Sequence, residues 1–339
     1  MRFFIVIMLA LCPLLAKAQF TIVDADSKET LPGVYVYSET GKLLAMSDEN
    51  GCVKALGEAV KGVTLSMLSY ESRTLNANEL HGEIALKGKP FELNEVVVGR
   101  TEFLKISAVF RDVVKNFDNL IIYREGLVDY YYNAKSKKYT RVIRGCRQYE
   151  HPDLRKGTND SLAIMYLPLL DFNKVQELHS SGETTHGDTT IVEATVGKRV
   201  VKDGIMKMEK NGIYRELVDA MKFLDRSSIN FLGLRYTLTK HIIDWQFNDK
   251  ISSAENLVSF RDYREEDYQW SKKAPVVPIT TTSDLVVYSV TSLKTKEAKA
   301  EMKDKETTTD FTLPDYLPAI PETIHQQAKT LVLKKFRER

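Results

Sequence analysis

Six histidines, three cysteines and a scatter of carboxylates are the residues from which this chain would have to build any chemistry. His179 and His186 stand in the stretch HSSGETTHGD, where Glu183 and Asp188 complete the donor types of a nitrogen-and-oxygen metal site. Their spacing would put both imidazoles on one face of a helix. A stretch so rich in Gly, Ser and Thr reads as a polar loop instead, and no metal is assigned to it. Asp24-Ala25-Asp26-Ser27-Lys28-Glu29 opens like a calcium loop and then fails, because Lys28 takes a ligand position and Glu29 stands where the glycine is needed. Cys146 is the thiol with partners nearby, Glu150 and His151. Along a strand, the five residues between Cys146 and His151 amount to roughly 16 Å and put them on opposite faces. A nucleophile–base dyad would therefore need a sharp turn between them.

Glu265, Glu266 and Asp267 are paired carboxylates of the kind a glycosidase uses, at a separation that only the fold can set. Phe260, Tyr263, Tyr268 and Trp270 around them, and Tyr130, Tyr131 and Tyr132 upstream, are aromatics that can stack on a sugar or contact a lipid. A strand sends neighbours to opposite faces, so at most two of the three tyrosines share one, and ordinary sheet packing is the expectation. No G-x-S-x-G, H-E-x-x-H, P-loop or G-x-G-x-x-G is present. The residues assign no catalytic group, no cofactor and no metal.

The elements that would position these groups begin after residue 18. Residues 1–18 read as a secretory signal, with Arg2, an apolar core from Phe3 to Leu15, and Ala16-Lys17-Ala18 as the cleavage site. Removing it takes away Arg2 and Lys17 and leaves equal numbers of basic and acidic side chains. A neutral mature chain has no field to gather nucleic acid or an anionic membrane. No later run is long and apolar enough for a transmembrane helix. Short alternating runs follow: Phe20–Asp24, Val34–Tyr37, Lys42–Met46, Val63–Tyr70 and Glu83–Leu86. Turn signals at Pro32-Gly33, Thr40-Gly41 and Asp48–Gly51 separate them. That rhythm predicts a small β-sandwich over residues 19–100, with a hairpin at Thr40-Gly41.

The order V-x-D, LPGVYVY, TGKLLAMSDENGCV, LSMLSYES and LNEVVV over residues 20–98 resembles the carboxypeptidase-regulatory-like domain. Asp24, Pro32, Gly33, Val34, Val36, Asp48, Asn50, Gly51, Tyr70 and the Leu93–Val98 tail carry the likeness. Cys52 departs from it, standing where a polar or charged residue is expected. The resemblance implies a transthyretin-like sandwich, an accessory role without peptidase activity, and a place in a Gram-negative cell envelope.

Residues 101–339 predict an α+β domain with an antiparallel sheet and packed helices. Phe103, Ile106, Phe110, Val113, Val114 and Phe117 form a helical apolar stripe with Thr101 as N-cap. Residues 120–150 are strand-like, and the order of stripe, IIYREG and YYYN resembles a segment that follows the regulatory-like module in envelope proteins of undefined role. Asp203-Gly204 predicts a hairpin between Arg199–Lys202 and Ile205–Met208. Tyr214, Leu217, Val218, Met221 and Leu224 mark a second helix, and Pro321 opens a last one with Ile324, Ala328, Leu331 and Val332 inward. Strands are expected at Phe231–Leu238, Ile242–Phe247, Leu257–Tyr263 and Leu285–Leu293, and Lys294–Glu306 reads as a solvated helix or loop. Interruption of strands by three helices argues against a transmembrane barrel. Cys52 and Cys146 are left open as a disulfide. The function expected is that of a non-enzymatic accessory or binding protein of the envelope, in the periplasm or at the outer-membrane periphery, with an envelope protein as partner. A periplasmic carrier of a lipid, glycan or other small ligand is the alternative, and a hydrolase of envelope peptide or glycan the second.

Overall fold

The structure, a computed structural model, describes residues 19–54, 56, 60–89, 102–152, 179–186, 188–196, 198–210, 212–224, 227–231, 233–249, 253–269, 271–314, 317 and 321–334. Residues 1–18, the Leu93–Val98 tail, Thr101 and Trp270 lie outside the described residues. The chain divides into two units, residues 1–90 with 319–321 and residues 91–318 with 322–339. The fold is β-rich, with antiparallel pairing in almost every ladder.

In the first unit, strands of two to five residues alternate with turns: β1 (Phe20–Asp24), β2 (Tyr35–Ser38), β3 (Leu43–Met46), β4 (Cys52–Val53), β5 (Gly62–Ser66), β6 (Arg73–Asn76) and β7 (Gly82–Leu86). They make two sheets, ordered β4-β1-β7 and β3-β2-β5-β6, with β1 and β7 parallel. The expected hairpin joins β2 to β3, closed by the Ser38 amide on the Lys42 carbonyl. Phe20, Ile22, Val34, Val36, Leu65 and Ile84 meet in one apolar cluster, the burial that stabilises so small a unit. Two residues of the resemblance touch there: Tyr70 donates its hydroxyl to Asp24 Oδ2 at 2.8 Å. The other Asp24 oxygen caps the backbone amides of Asp26 and Ser27, so this carboxylate is spent on the turn.

The described residues of the second unit form one sheet of twelve antiparallel strands. They are β8 (Phe103–Asn116), β9 (Asn119–Asn133), β10 (Lys138–Glu150), β11 (His179–His186), β12 (Thr189–Val196), β13 (Arg199–Lys210), β14 (Ile213–Asp219), β15 (Ser228–Phe231), β16 (Leu234–Phe247), β17 (Leu257–Gln269), β18 (Val277–Leu293) and β19 (Val332–Lys334). The order is β11-β12-β13-β14-β16-β17-β18-β8-β9-β10-β19, with β15 paired to β16. The meander from β11 to β18 thus returns to pair with β8, and among the described residues β11 and β19 end the sheet. Among the described residues two helices accompany it, α1 (Thr295–Lys303) and α2 (Glu322–Ala328). No helix among the described residues is long and apolar enough to cross a membrane.

Several expectations are corrected here. The stripe from Phe103 to Phe117 is strand β8, not a helix; every residue from Leu104 to Lys115 except Lys105 is buried. A strand covered on both faces loses its alternation and reads as one apolar run, in which a helical period can always be found. The stretch from Tyr214 to Leu224 is strand β14 followed by a short 3-10 turn held by Asp219 on the Met221 amide. Two of the three helices that argued against a barrel are therefore strands. Asp203-Gly204 is no turn, since β13 runs straight through it. A Cβ on Gly204 would lie 2.4 Å from the Phe223 ring, so this glycine makes room for an aromatic. The last helix ends at Ala328, and Val332 lies exposed on β19.

Candidate functional site

Strands β8 and β17 carry the same triplet, Phe110-Arg111-Asp112 and Phe260-Arg261-Asp262, and β18 lies between them with Ser283-Asp284-Leu285. Both pair with β18 in matching register. Phe260 and Phe110 flank Leu285, Arg261 and Arg111 flank Asp284, and Asp262 and Asp112 flank Ser283. Alternation then sends the phenylalanines and outer aspartates to one face of the sheet and the arginines to the other.

On the arginine face a single cross-strand row reads Asp244, Arg261, Asp284, Arg111, Glu125, Arg147, alternating in sign over six strands. Arg111 and Arg261 reach Asp284 at 2.7 and 2.6 Å, and Arg147 reaches Glu125 at 2.9 Å. Arg215 grips Asp244 with two hydrogen bonds. Asp284 is 3% exposed. Burial alone would raise its carboxyl, but the charges of Arg261 and Arg111 outweigh it and hold the group below the usual range.

The phenylalanine face holds a small cleft with a cavity volume of about 40 Å³. Its apolar wall is Phe110, Phe260, Leu285, Val128 and Ile143, backed by the buried cluster that includes Trp245, whose ring centroid lies 4.5 Å from that of Phe260. Gly126 stands opposite Phe110, and a Cβ there would come within 2.7 Å of its ring and 2.1 Å of the Gly145 carbonyl. Only a glycine lets Phe110 lie flat enough to shape this wall. At one end Arg124 crosses the Phe110 ring at 5.5 Å and pairs with Asp112 at 2.6 Å, while Ser283 donates to the same carboxylate. At the other end Arg141 sits beside Tyr130 in the β9–β10 ladder. The cleft thus has an apolar middle and an arginine toward each end.

Beyond Asp112 the same face carries a second polar group. His241 and Arg264 both bond Asp262, and Tyr236 and Tyr268 donate to Glu266. Burial would raise Asp262, yet the bonds from His241 and Arg264 hold it low, whereas burial prevails at Glu266 and lifts its carboxyl above the usual range.

The residues singled out from the sequence are not brought together. The stretch His179–His186 is strand β11, not a loop, and seven residues of strand put its two histidines roughly 23 Å apart, beyond one metal ion. Strand β10 is unbroken to Glu150, so Cys146 and His151 have no turn between them. Cys146 is buried in the apolar cluster, where burial pushes its thiol up to about 12, the opposite of a nucleophile's shift. Cys52 and Cys146 are both free thiols. Of the three adjacent carboxylates, Glu266 faces the cleft side while Glu265 and Asp267 face away, each opposite its own partner on β16. Tyr130 and Tyr132 pack in the apolar cluster, and Tyr131 points the other way to bond Glu301 of α1. Phe260 and Tyr268 lie on one face and Tyr263 on the other, so they form no platform. What the sequence reading missed is the doubled Phe-Arg-Asp, a signal present in the letters and hidden by reading β8 as a helix. No family model matches the chain, and no curated protein matches it in sequence.

Proposed function

We propose that the protein is an exported, non-enzymatic binding protein of a bacterial cell envelope, whose second unit holds a small ligand in the cleft between the Phe-Arg-Asp strands. The observation that carries this reading is the cleft itself: aromatic and aliphatic walls, polar groups confined to its ends, and walls fixed by buried ion pairs. Pre-formed apolar sites with a few placed polar groups are what ligand-binding proteins present. The signal-like residues 1–18 and the likeness of residues 20–98 to a regulatory-like module support the envelope location and an accessory role. Native mass spectrometry of the chain isolated gently from its own envelope tests it. A co-purifying mass that Phe260→Ala reduces is expected, and a bare chain in every preparation would remove the cleft reading. The same spectrum reads the N-terminus, expected at Gln19.

A second reading, action through protein contacts, is favoured by the end of the sheet. There Val332 and Leu333 of the short strand β19 are 43% and 51% exposed. An edge with exposed aliphatic side chains is a surface on which another strand can add. In-cell crosslinking decides it: repeated recovery of one envelope protein, lost in a Val332→Lys, Leu333→Lys chain, would establish that role.

A further inference from the structure

We infer that one end of the twelve-stranded sheet docks on a lipid surface with anionic head groups: Phe117, Val276 and Ile229 enter the interface, and Lys272 and Lys273 meet the heads. This docking does not depend on a ligand in the cleft. Register gathers these residues at one end of the sheet. Ile229 of β15, Tyr236 of β16, Tyr268 of β17 and Val277 of β18 form one cross-strand row. Val276 precedes that row. Pro278 follows it, and its carbonyl accepts the amide of Phe117, in the turn from β8 to β9, at 3.1 Å. The six strands from β15 to β9 span roughly 25 Å at the ordinary spacing of a sheet.

Single apolar side chains on a surface are ordinary. Two features set these apart. Ile229 and Phe117, 63% and 58% exposed, are the most exposed large apolar side chains among the described residues, and Val276 is 45% exposed. Phe117 also holds a φ of +52°, a left-handed backbone that bulky residues rarely adopt and that asparagine or glycine takes easily. Asn116, Asp118 and Asn119 surround it, so the turn has tolerant residue types at hand and places an aromatic in the position that resists it. The ring costs the free chain in backbone strain and in contact with water, and a partner that covers it removes the second cost.

A bilayer fits this arrangement better than a protein does. The three side chains stand on separate connections with polar residues between them, so they are prongs and not a patch. A fluid interface receives separate prongs, and aromatic rings favour the boundary of water and lipid. A folded partner would need a matching hole for each. The turns limit the depth, because backbone N–H and C=O groups cannot give up water to hydrocarbon. Asn116, Asp118, Asn119 and Ser271 therefore stay level with the heads. Charge chooses the heads: Lys272, Lys273 and Arg235 are exposed, against the single exposed carboxylate of Asp118 among the described residues of these connections. The whole chain has a formal net charge of only +2, so the attraction is local to this end.

The chain from Gln19 onward, free of the apolar residues 3–15 that would bind lipid themselves, is mixed with vesicles of phosphatidylcholine, alone or with phosphatidylglycerol, and the bound fraction is read by co-sedimentation. Partition onto the mixed vesicles is expected to be stronger by on the order of tenfold, the effect of about two uncompensated cations. Replacing both Lys272→Gln and Lys273→Gln is expected to bring the two vesicles level. Phe117→Asn is expected to lower partition onto both by on the order of tenfold, the worth of a buried aromatic ring. Its melting temperature is expected at or above that of the parent, since asparagine suits the turn, which separates loss of binding from loss of fold. Phe117→Trp is expected to retain binding and to add blue-shifted emission on vesicles. A chain that stays in the supernatant with both vesicles would overturn the proposal, as would partition that Phe117→Asn leaves unchanged. Equal partition of the parent onto both vesicles would overturn the anionic heads. If the parent sediments as a dimer and Phe117→Asn as a monomer, the partner is a second copy of the chain and the lipid surface is wrong.

Discussion

Asp284 has two guanidinium groups within 2.7 Å and almost no contact with water. Taking one partner from a buried ionic group leaves the others charged and dry, at a cost of roughly 3–5 kcal/mol. Asp284→Asn is therefore expected to lower stability by about that amount in chemical denaturation. Lys87→Ala, which breaks an ion pair whose side chains are 69% and 55% exposed, is expected to shift it by less than about 1 kcal/mol. Glu266 is the converse case. Its carboxyl is raised in the folded chain, so the folded state holds that proton more tightly than the unfolded one. The stability it supplies is present below the unfolded value and lost as pH rises through the raised one. Glu266→Gln should thus gain in melting temperature relative to the parent chain as the buffer goes from about pH 4 to about pH 7; a flat difference would contradict that account. The two described thiols separate just as cleanly. Cys52 is half-exposed and Cys146 is fully buried with a raised thiol, so a maleimide should label Cys52 in the native chain and reach Cys146 only after denaturation.

At the scale of elements, α1 shows how a weak helix is kept in place. It has nine residues and a single buried side chain, Ala298, too little to be stable alone. Glu301 fastens it, accepting from Lys105 at 2.7 Å and from the Tyr131 hydroxyl at 2.8 Å, while Arg144 bonds the Glu301 and Asp304 carbonyls. Glu301→Gln is expected to cost about 1 kcal/mol or less, since the group is partly exposed. Hydrogen exchange should therefore speed up by no more than about fivefold across Thr295–Lys303, with the sheet unchanged. The charges of α1 were legible in the sequence, as were the hairpin of β2 and β3 and the turn at Asp48–Gly51, because short alternating strands and turn residues are local signals. Strands β8 and β14 were not, because covering both faces removes the alternation that marks a strand. The neglected cue was composition, with Ile106, Val109, Val113 and Val114 branched at Cβ and suited to a sheet. The cleft was out of reach for a different reason. Phe110, Phe260 and Leu285 are neighbours only through register, a property of pairing across some 150 residues of chain.

For the whole molecule, the depressed carboxyls set the response to acid. Asp284 and Asp262 are both held below their ordinary range, so the stability they supply is present above the unfolded value and lost as pH falls through the folded one. The second unit is expected to hold through mild acid and unfold below about pH 4, followed by Trp245 fluorescence. A transition centred near neutral pH would point to another group. The row from Asp244 to Arg147 has one more consequence, for errors of assembly. A sheet of strands this long offers many near-equivalent alignments, since one aliphatic position looks much like the next. Sliding β18 by two residues against β8 would set Asp284 opposite Val109 or Val113 and strand Arg111 against an uncharged neighbour. The slipped sheet would thus bury unmatched charges that the native alignment cancels one by one. The alternating row acts as a parity check written into the strands: it adds little to the depth of the correct minimum and makes every neighbouring one prohibitively shallow.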